Sequence, residues 1–497
     1  MLNNQRFILA VLLILIFAMA ARTPLDSDMW WHLRIGEETV RIGRPVTVDI
    51  LSHTRQGEPW VNHSWLFRVG LYSIFKVGGF FALGALVALL AAASFGFVYL
   101  QMDGSALLRA FIIIFAVPVA ALVWSPRPQI VSLVFFGLAG YLLYLYKWRQ
   151  RDYLWTLVPI FILWSNLHGG YGVGLLLIAA MVAGEMINRA LFRDSAEILD
   201  WGRIGKLVLW GVIAGLVVVI NPNGIAMWLI PFKTVDVSVL QASLTEWASP
   251  DFHQLVEQPF LWLLFATLGI ASLSKRRMDG TDLVTTLGFA YLAFLFRRNF
   301  GTFAMVAAPV LSRHFYILLQ DWQEQAEERF DGGYASIRAF LQRFSQGSFS
   351  PRVTKAINAV VIILLVIVAL LKLYAVTEPT LVATFTEDFY PVKAVEWIKQ
   401  NQPQGQIFNE YNWGGYLIWH LRDYPVFIDG RTDLYDDELL EEYLMILSGD
   451  DGWQEALGDR QVKVVLIKLG SGLDRQLSQS MEWERVFEEE NAVVFVR

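Results

Sequence analysis

The feature that most constrains this chain is a set of long apolar stretches that recurs from the N-terminus to residue 376. Phe80–Leu100 and Gln129–Tyr146 contain no Asp, Glu, Lys or Arg. Each is long enough to cross the hydrocarbon core of a bilayer as a helix. Further candidate spans lie near residues 5–21, 106–124, 153–167, 171–187, 205–220, 259–274, 281–296, 299–316 and 355–375. We therefore predict a polytopic α-helical membrane protein with about 11 spans.

The acidic residues are concentrated after the last predicted span. Residues 377–497 contain 23 Asp and Glu against 10 Lys and Arg, a net charge of −13, whereas residues 1–376 carry a net charge of +7. Such an acidic domain is poorly suited to binding nucleic acid or anionic lipid, so we predict no nucleic-acid partner. A solvated domain surface explains the acidity without any special function. The chain contains no cysteine, which excludes disulfides, a thiolate nucleophile and Cys-based metal sites.

Positive charge in the short loops predicts the orientation of the spans. If the N-terminus is cytoplasmic, most bases beyond the first loop fall into cytoplasmic loops. They are Lys147, Arg149, Arg151, Arg189, Arg193, Arg203, Lys206, Lys275, Arg276, Arg277, Arg313, Arg329, Arg338, Arg343, Arg352 and Lys355. The opposite loops carry only Arg127, Lys233, Arg297 and Arg298, apart from the first loop, where acids offset the bases. We expect an integral inner- or plasma-membrane protein with a cytoplasmic N-terminus and an extracytoplasmic C-terminal domain.

The first apolar stretch has a second interpretation. Residues 7–20 end in Ala-Met-Ala, and a cleavable signal peptide would show a similar pattern. Cleavage would leave the remaining topology unchanged.

Two domains are predicted. The transmembrane domain covers residues 1–376 and includes a long first external loop, residues 22–65, whose mixed aromatic and charged spacing favours amphipathic helices. The soluble extracytoplasmic domain covers residues 377–497. Its predicted strands are Gln406–Asn409, Pro425–Asp429, Val462–Lys468, Glu484–Glu488 and Ala492–Val496, and its predicted helices are Pro391–Gln400, Tyr411–Leu421, Asp436–Leu447 and Leu473–Ser480. This alternation indicates a small α/β domain with a largely parallel sheet and a terminal hairpin.

Nearly all polar clusters fall on the external side in this topology. Asp26 and Asp28 follow the first span in the sequence Asp-Ser-Asp-Met-Trp-Trp-His. The other polar candidates on this side are His32, His53, His63, Arg127, Asn166, His168, Arg297 and Arg298. Such groups are costly in lipid unless they line water or pair, so their gathering at one depth predicts a cavity at the membrane boundary. A carboxylate there can act as a general base, while Arg, His and Asn can bind a phosphate.

Each of these groups also has a structural interpretation. The two aspartates would cap an interfacial helix, and Arg127, which lies between two prolines, would anchor the boundary. His168 would be a buried imidazole among glycines that favour close helix packing. Arg297 and Arg298 would form an external surface patch.

The C-terminal domain contains one further candidate, the sequence Asp429-Gly-Arg-Thr-Asp433. It follows a predicted strand, which is where α/β sheets usually bind ligands. A β–α turn that contains a salt bridge would explain the same residues without a ligand.

These features resemble the GT-C superfamily of integral membrane glycosyltransferases. The shared pattern comprises a cytoplasmic N-terminus, a similar number of spans, a long first external loop, an acidic pair after the first span and a soluble extracytoplasmic domain. The resemblance implies that Asp28 or Asp26 is the catalytic base, and that Arg127, Arg297 and Arg298 bind a lipid phosphate. In many members the two acids are adjacent, whereas a serine separates them here. The stretches Asp-Ser-Asp-Met-Trp-Trp-His-Leu, Asn-Trp-Gly-Gly-Tyr-Leu-Ile-Trp and Phe-Ile-Asp-Gly-Arg-Thr-Asp-Leu-Tyr also resemble those of a bacterial membrane-protein family.

The resemblance implies an inverting transfer of a sugar from a polyprenyl-phosphate donor to a lipid, glycan or protein acceptor at the extracytoplasmic face. Membrane lipids are the other expected partners, and we expect no cofactor, although members differ in their use of a divalent metal. The further candidate contacts to the substrate are His32, His63, Asn166, His168, Asp429, Arg431 and Asp433. A transporter or flippase of lipid-linked glycans is an alternative, which predicts charges near the midplane and repeat symmetry. A non-catalytic assembly subunit is another, and it would not depend on the acids of the first loop.

Overall fold

A computed structural model describes residues 4–191, 198–232, 247–329 and 350–497. The helices of the transmembrane domain are α1 (Asn4–Ala20), α2 (Met29–Ile42), α3 (Trp65–Leu100), α4 (Ala106–Ala120), α5 (Gln129–Lys147), α6 (Leu157–Leu167), α7 (Tyr171–Leu191), α8 (Trp201–Val217), α9 (Gln258–Leu273), α10 (Gly280–Leu295), α11 (Phe300–Arg329) and α12 (Pro351–Val376). Each predicted span coincides with one of these helices, and α2 lies in the first loop. Within the described ranges, six helices are long and apolar enough to cross a membrane, and four shorter apolar helices accompany them. Arg193, Lys233, Arg338, Arg343 and the side chain of Arg329 lie outside the described residues.

The polar groups of the bundle gather at its two ends. At one end, Lys147 Nζ lies 2.5 Å from Glu185 Oε1 and 2.9 Å from Asp279 Oδ2. Arg313 forms a buried ion pair with Asp282 at the same end. Buried charges in a helix bundle are tolerated when they pair in this way. Several bases predicted to be cytoplasmic therefore lie at this end, and the first loop and the C-terminal domain lie at the opposite end, which we call the loop-one face.

Helix α3 is interrupted at Gly78 and Gly79. Gly79 has φ +55° and ψ −144°, a conformation open mainly to glycine. The break separates the first part of α3 from the predicted span, Phe80–Leu100. The helical structure of the first loop therefore continues past residue 65, the predicted end of that loop.

The C-terminal domain is a four-stranded sheet covered by helices. Its helices are α13 (Pro379–Phe389), α14 (Val392–Asn401), α15 (Gly414–His420), α16 (Asp437–Ser448), α17 (Trp453–Asp459) and α18 (Gly472–Gln479), and its strands are β1 (Gln406–Asn409), β2 (Val462–Lys468), β3 (Glu484–Glu488) and β4 (Ala492–Val496). The strand order is β1-β2-β4-β3. Only β1 and β2 are parallel, so the prediction of a largely parallel sheet was wrong. The reason is that β3 and β4 form a tight hairpin, which must be antiparallel, and the hairpin adds to the free edge of β2.

The predicted strand Pro425–Asp429 was also wrong. Its backbone forms no ladder with the sheet. Val426 N–H donates to Leu51 O, and His53 N–H donates to Val426 O, both at 3.0 Å, while the side chain of Asn409 in β1 bonds to Phe427 N–H and Ile428 O. An isolated bridge between Ser52 and Val426 is all that forms. The hydrogen bonds of Val426 attach the first loop to the C-terminal domain.

Helix α2 lies between the bundle and the C-terminal domain. Its Trp30 ring lies edge-on to the rings of Tyr390 and Tyr416, at centroid distances of 6.2 and 5.6 Å. These rings belong to one continuous hydrophobic core that also contains residues of the spans. The C-terminal domain is therefore packed onto the first loop through buried aromatic side chains, which contribute roughly 1.5–3 kcal/mol each when fully buried.

Candidate functional site

The two aspartates after the first span are held together by Arg127. Arg127 Nε pairs with Asp26, and its Nη1 lies 3.2 Å from Asp28 Oδ2. Asp28 N–H donates to Asp26 Oδ1 at 2.9 Å. All three side chains are largely buried, with exposed fractions of 12% for Asp26, 17% for Asp28 and 14% for Arg127. We call these three residues the acid–arginine cluster.

The local structure argues against a pure capping role for Asp28. This residue occupies the position before α2, but its side chain makes no capping hydrogen bond. Its carboxylate is instead within ion-pair distance of Arg127, which precedes α5 and is distant in sequence. The helix dipole of α2 still favours a negative charge at this position.

Glycines of the C-terminal domain lie directly against the cluster. A Cβ atom on Gly430 would stand 1.8 Å from Asp28 Oδ1, and one on Gly415 would stand 2.2 Å from Ser27 O. Only glycine permits an approach this close. The three sequence stretches that carried the family resemblance therefore meet at one place.

A buried arginine lies behind the cluster. Arg68 Nε donates to His32 Nδ1 at 3.1 Å, and its guanidinium also bonds to Asn62. The guanidinium lies over Trp31 and Trp60, at 4.7 and 4.6 Å from the ring centroids. Because Nδ1 of His32 accepts this bond, the ring is neutral, and burial followed by the charges of Arg68 and Arg127 lowers its pKa well below the usual value.

Arg68 was not singled out as a site residue from the sequence. The first loop contains several arginines and a similar number of acidic residues, so the sequence alone does not distinguish Arg68 from the others. Its position in the first turn of α3, five residues after the candidate His63, was the available signal.

Asp433 brings a carboxylate of the C-terminal domain to the first loop. Its Oδ2 accepts from Trp60 Nε1 at 3.2 Å and lies 3.6 Å from His63 Nδ1. Burial alone would raise the pKa of Asp433, but interaction with His63 and the charge of Arg68 hold it below its ordinary value. Asp433 therefore lies at the loop-one face, beside Trp60 and His63.

His168 lies beside His63, with ring centroids 6.2 Å apart. Its Nδ1 is 2.6 Å from Ser132 Oγ and accepts from Gly170 N–H at 3.1 Å. These bonds place the proton of the neutral ring on Nε2. Burial, followed by the charges of His63 and Arg298, lowers its pKa well below the usual value.

The structure places Asn166 in a supporting role. Its amide nitrogen donates to Ile162 O and Ile220 O at 2.8 and 2.7 Å, and its oxygen accepts from Trp65 Nε1 at 2.8 Å. The side chain therefore ties α6 to α3 and to the segment after α8.

The two arginines between α10 and α11 have different surroundings. Arg297 Nη2 lies 2.5 Å from Oε1 of Glu257, whose side chain is fully buried. Arg298 lies over the Trp247 ring, 4.2 Å from its centroid, and its charge reaches His168. Of the two arginines, Arg298 is the one whose charge contributes to the lowered pKa of His168.

Asp429 and Arg431 lie in a separate buried network. Arg431 Nη2 lies 2.7 Å from Asp429 Oδ2 and its Nη1 lies 2.5 Å from Asp49 Oδ1, while the Tyr435 hydroxyl donates to Asp429 at 2.7 Å. The side chains of all three charged residues are fully buried. His53 reinforces the same junction, since its Nε2 lies 3.0 Å from Ile407 O. These residues join the first loop to the C-terminal domain.

A cavity of about 60 Å³ lies at the opposite end of the bundle, beside Trp148, Asp282 and Arg313. It does not include the acid–arginine cluster. Among the described residues, no three His, Asp or Glu side chains are grouped in a way that could hold a metal ion.

Comparison with solved structures shows that the chain has the fold of the GT-C glycosyltransferases. A scan against protein-family models gives no match, and neither does a search of curated proteins. The fold assignment therefore rests on structural similarity.

Two of the similar structures are of the oligosaccharyltransferase AglB from Archaeoglobus fulgidus. The apo form superposes with a TM-score of 0.52 at 12% identity, covering 92% of this chain and 69% of that chain. The complex with an inhibitory peptide and a dolichol-phosphate has the same TM-score at 11% identity, covering 93% and 69%. ArnT from Cupriavidus metallidurans bound to undecaprenyl phosphate has a TM-score of 0.51 at 14% identity, covering 98% of this chain and 97% of that chain.

Proposed function

We propose that this protein is a membrane glycosyltransferase that transfers a sugar from a polyprenyl-phosphate donor to an acceptor at the loop-one face. The observation that carries the proposal is the acid–arginine cluster, which follows the first span and lies beneath the C-terminal domain. The likeness to AglB with dolichol-phosphate and to ArnT with undecaprenyl phosphate supports a polyprenyl-phosphate partner.

Asp28 is the better candidate for the general base. Asp26 pairs closely with Arg127 and also accepts Asp28 N–H, so its lone pairs are engaged in holding the cluster together. The Asp28 carboxylate also pairs with Arg127, at 3.2 Å, and lies directly against Gly430 of the C-terminal domain. In the proposed step the acceptor oxygen or nitrogen attacks the anomeric carbon while its proton passes to Asp28, and the bond from that carbon to the phosphate oxygen breaks. Attack opposite the leaving phosphate inverts the anomeric configuration.

The departing polyprenyl phosphate requires groups that stabilise negative charge. Arg298, whose charge lowers the pKa of His168, is the arginine that we assign to the phosphate, together with the Nε2–H of His168 and the imidazole of His63. Of the three arginines that the resemblance implied, this assignment selects the one that acts on His168.

Donor turnover by the purified full-length protein in proteoliposomes tests the proposal. The vesicles would receive a panel of radiolabelled polyprenyl-phosphate sugars together with an envelope extract as the source of acceptors. We expect release of polyprenyl phosphate and labelling of an acceptor with inverted anomeric configuration. Transfer with retention would contradict the mechanism. Movement of intact donor across the vesicle, without consumption, would instead support a transporter.

A further inference from the structure

A pair of cations that the proposed mechanism does not use lies where α1 meets the last span, α12. Arg22 follows α1, and Lys372 lies one turn before the end of α12. Arg22 Nη1 donates to Ala121 O at 3.2 Å, and Lys372 Nζ donates to Ala18 O at 2.5 Å. Among the described residues these carbonyls are their polar partners, and no carboxylate pairs with either cation.

Lys372 contacts Ala18, which lies only four residues before Arg22, so the two positive charges are near each other. Both residues are exposed to their surroundings. Neighbouring groups cover part of the Arg22 side chain, and this partial burial lowers its pKa. Two neighbouring cations without a counter-ion are unfavourable, and an anion between them would remove the repulsion. The junction lies on the loop-one side of the bundle, at the depth where span ends meet the membrane boundary.

The surface beside this junction is suited to a lipid tail. Of the 18 consecutive residues that form the most apolar part of α12, only 11% are buried. Nearly all of this span therefore faces its surroundings. Val368, Leu371 and Tyr374, near Lys372, have exposed fractions of 61%, 61% and 63%. An acyl chain along these side chains would place its headgroup at the cations.

The junction itself is well ordered by close contacts. Thr23 Oγ1 donates to Val376 O at 2.8 Å, which fastens the end of α1 to the end of α12. A Cβ atom on Gly84 of α3 would stand 2.9 Å from Leu373 Cδ1 and 3.6 Å from Arg22 O, so α3 supports both elements. The cations are therefore presented on a defined surface.

We propose that Arg22 and Lys372 bind the headgroup phosphate of an anionic phospholipid in the leaflet at the loop-one face. The bound lipid would join α12, which carries the C-terminal domain, to α1. This site is independent of the proposed glycosyl transfer.

Native mass spectrometry of the full-length protein tests the site, with phosphatidylglycerol and phosphatidylcholine of the same acyl chains added in turn. We expect the wild type to bind its first phosphatidylglycerol preferentially, and R22Q/K372Q to lose roughly tenfold of that preference. R22K/K372R keeps both charges and should keep the preference, which separates binding from misfolding. K393Q/K399Q removes two exposed charges from α14 of the C-terminal domain and should behave as wild type.

Unchanged preference in R22Q/K372Q would overturn the proposal, as would an equal loss in K393Q/K399Q. A third arm adds inorganic phosphate at the concentration of the lipid. If it displaces phosphatidylglycerol, the ligand is free phosphate and the lipid assignment is wrong.

Discussion

Gly430 is the residue at which the C-terminal domain touches the proposed base. A methyl group there would stand 1.8 Å from Asp28 Oδ1, so either the carboxylate or the turn must move. We predict that Gly430→Ala lowers the transfer rate on the order of a hundredfold, the usual effect of displacing a catalytic group by about 1 Å. The measurement is the initial rate of sugar transfer in proteoliposomes.

Gly458→Ala provides the matched control for that substitution. Gly458 lies in α17 with open space where a Cβ would stand. Alanine there should leave the transfer rate unchanged and stabilise the helix by roughly 0.5–1 kcal/mol. A normal rate in Gly430→Ala would show that the turn does not position Asp28.

Arg431 provides a stability prediction at the same scale. Its guanidinium pairs with Asp49 and Asp429, and all three side chains are fully buried. Arg431→Met would leave two buried carboxylates uncompensated, so we expect a loss of about 3–5 kcal/mol in unfolding free energy. Arg460→Met removes the partly exposed pair with Glu442 and should cost at most about 1 kcal/mol. Equal shifts in thermal unfolding midpoint for the two variants would contradict the buried network.

At the scale of elements, the packing of α15 on α2 should depend on pH through His420. Its ring lies 4.9 Å from that of Trp30, and burial, with the charges of Lys399 and Arg422, lowers its pKa to about 4. A lowered pKa in the folded state means that the stabilisation is complete above the ordinary value of about 6.5 and declines as the pH falls toward 4. At pH 5 the loss would reach about 2 kcal/mol.

The check is thermal unfolding at pH 7.5 and pH 5.0 for wild type and His420→Gln. The glutamine side chain does not titrate. The thermal unfolding midpoint of the variant should therefore fall less between pH 7.5 and pH 5.0 than that of the wild type. Identical acid shifts in both proteins would show that His420 is not part of this interface.

Elements determined by local sequence were predictable, and those determined by partners distant in sequence were not. The spans and the hairpin of β3 and β4 follow from hydropathy and alternation within one segment. Pro425–Asp429 has a strand pattern, but the backbone hydrogen bonds of Val426 go to the first loop, more than 370 residues away in sequence. Pairing of that kind is not encoded in the segment itself.

The same distinction holds for the site. That Asp26, Asp28 and Arg127 lie on one face followed from the alternation of the spans. That Arg127 bridges both acids, or that Gly430 lies against Asp28, depends on how α1, α5 and the C-terminal domain pack. The different surroundings of Arg297 and Arg298, adjacent in sequence, could not be predicted for the same reason.

At the scale of the whole molecule, the loop charges predict that the C-terminal domain is extracytoplasmic. The chain has no cysteine, so single cysteines can report each side of the membrane. Met481 is fully exposed on the C-terminal domain, and Arg151 is exposed on the loop after α5, so we choose Met481→Cys and Arg151→Cys as the two reporters. We expect a membrane-impermeant maleimide to label Met481→Cys in intact cells, but Arg151→Cys only after lysis. The reverse pattern would invert the topology.

The central claim is that the acid–arginine cluster beneath the C-terminal domain carries out the transfer, and Asp28 tests it most directly. The measurement is the initial transfer rate of Asp28→Asn beside wild type and Asp423→Asn, an exposed carboxylate of the C-terminal domain. Loss of a general base should lower the rate at least about a hundredfold, with Asp423→Asn unchanged. Asp26→Asn should lower the transfer rate less, because the Asp26 carboxylate acts on the site by positioning Arg127. A wild-type rate in Asp28→Asn would contradict the account.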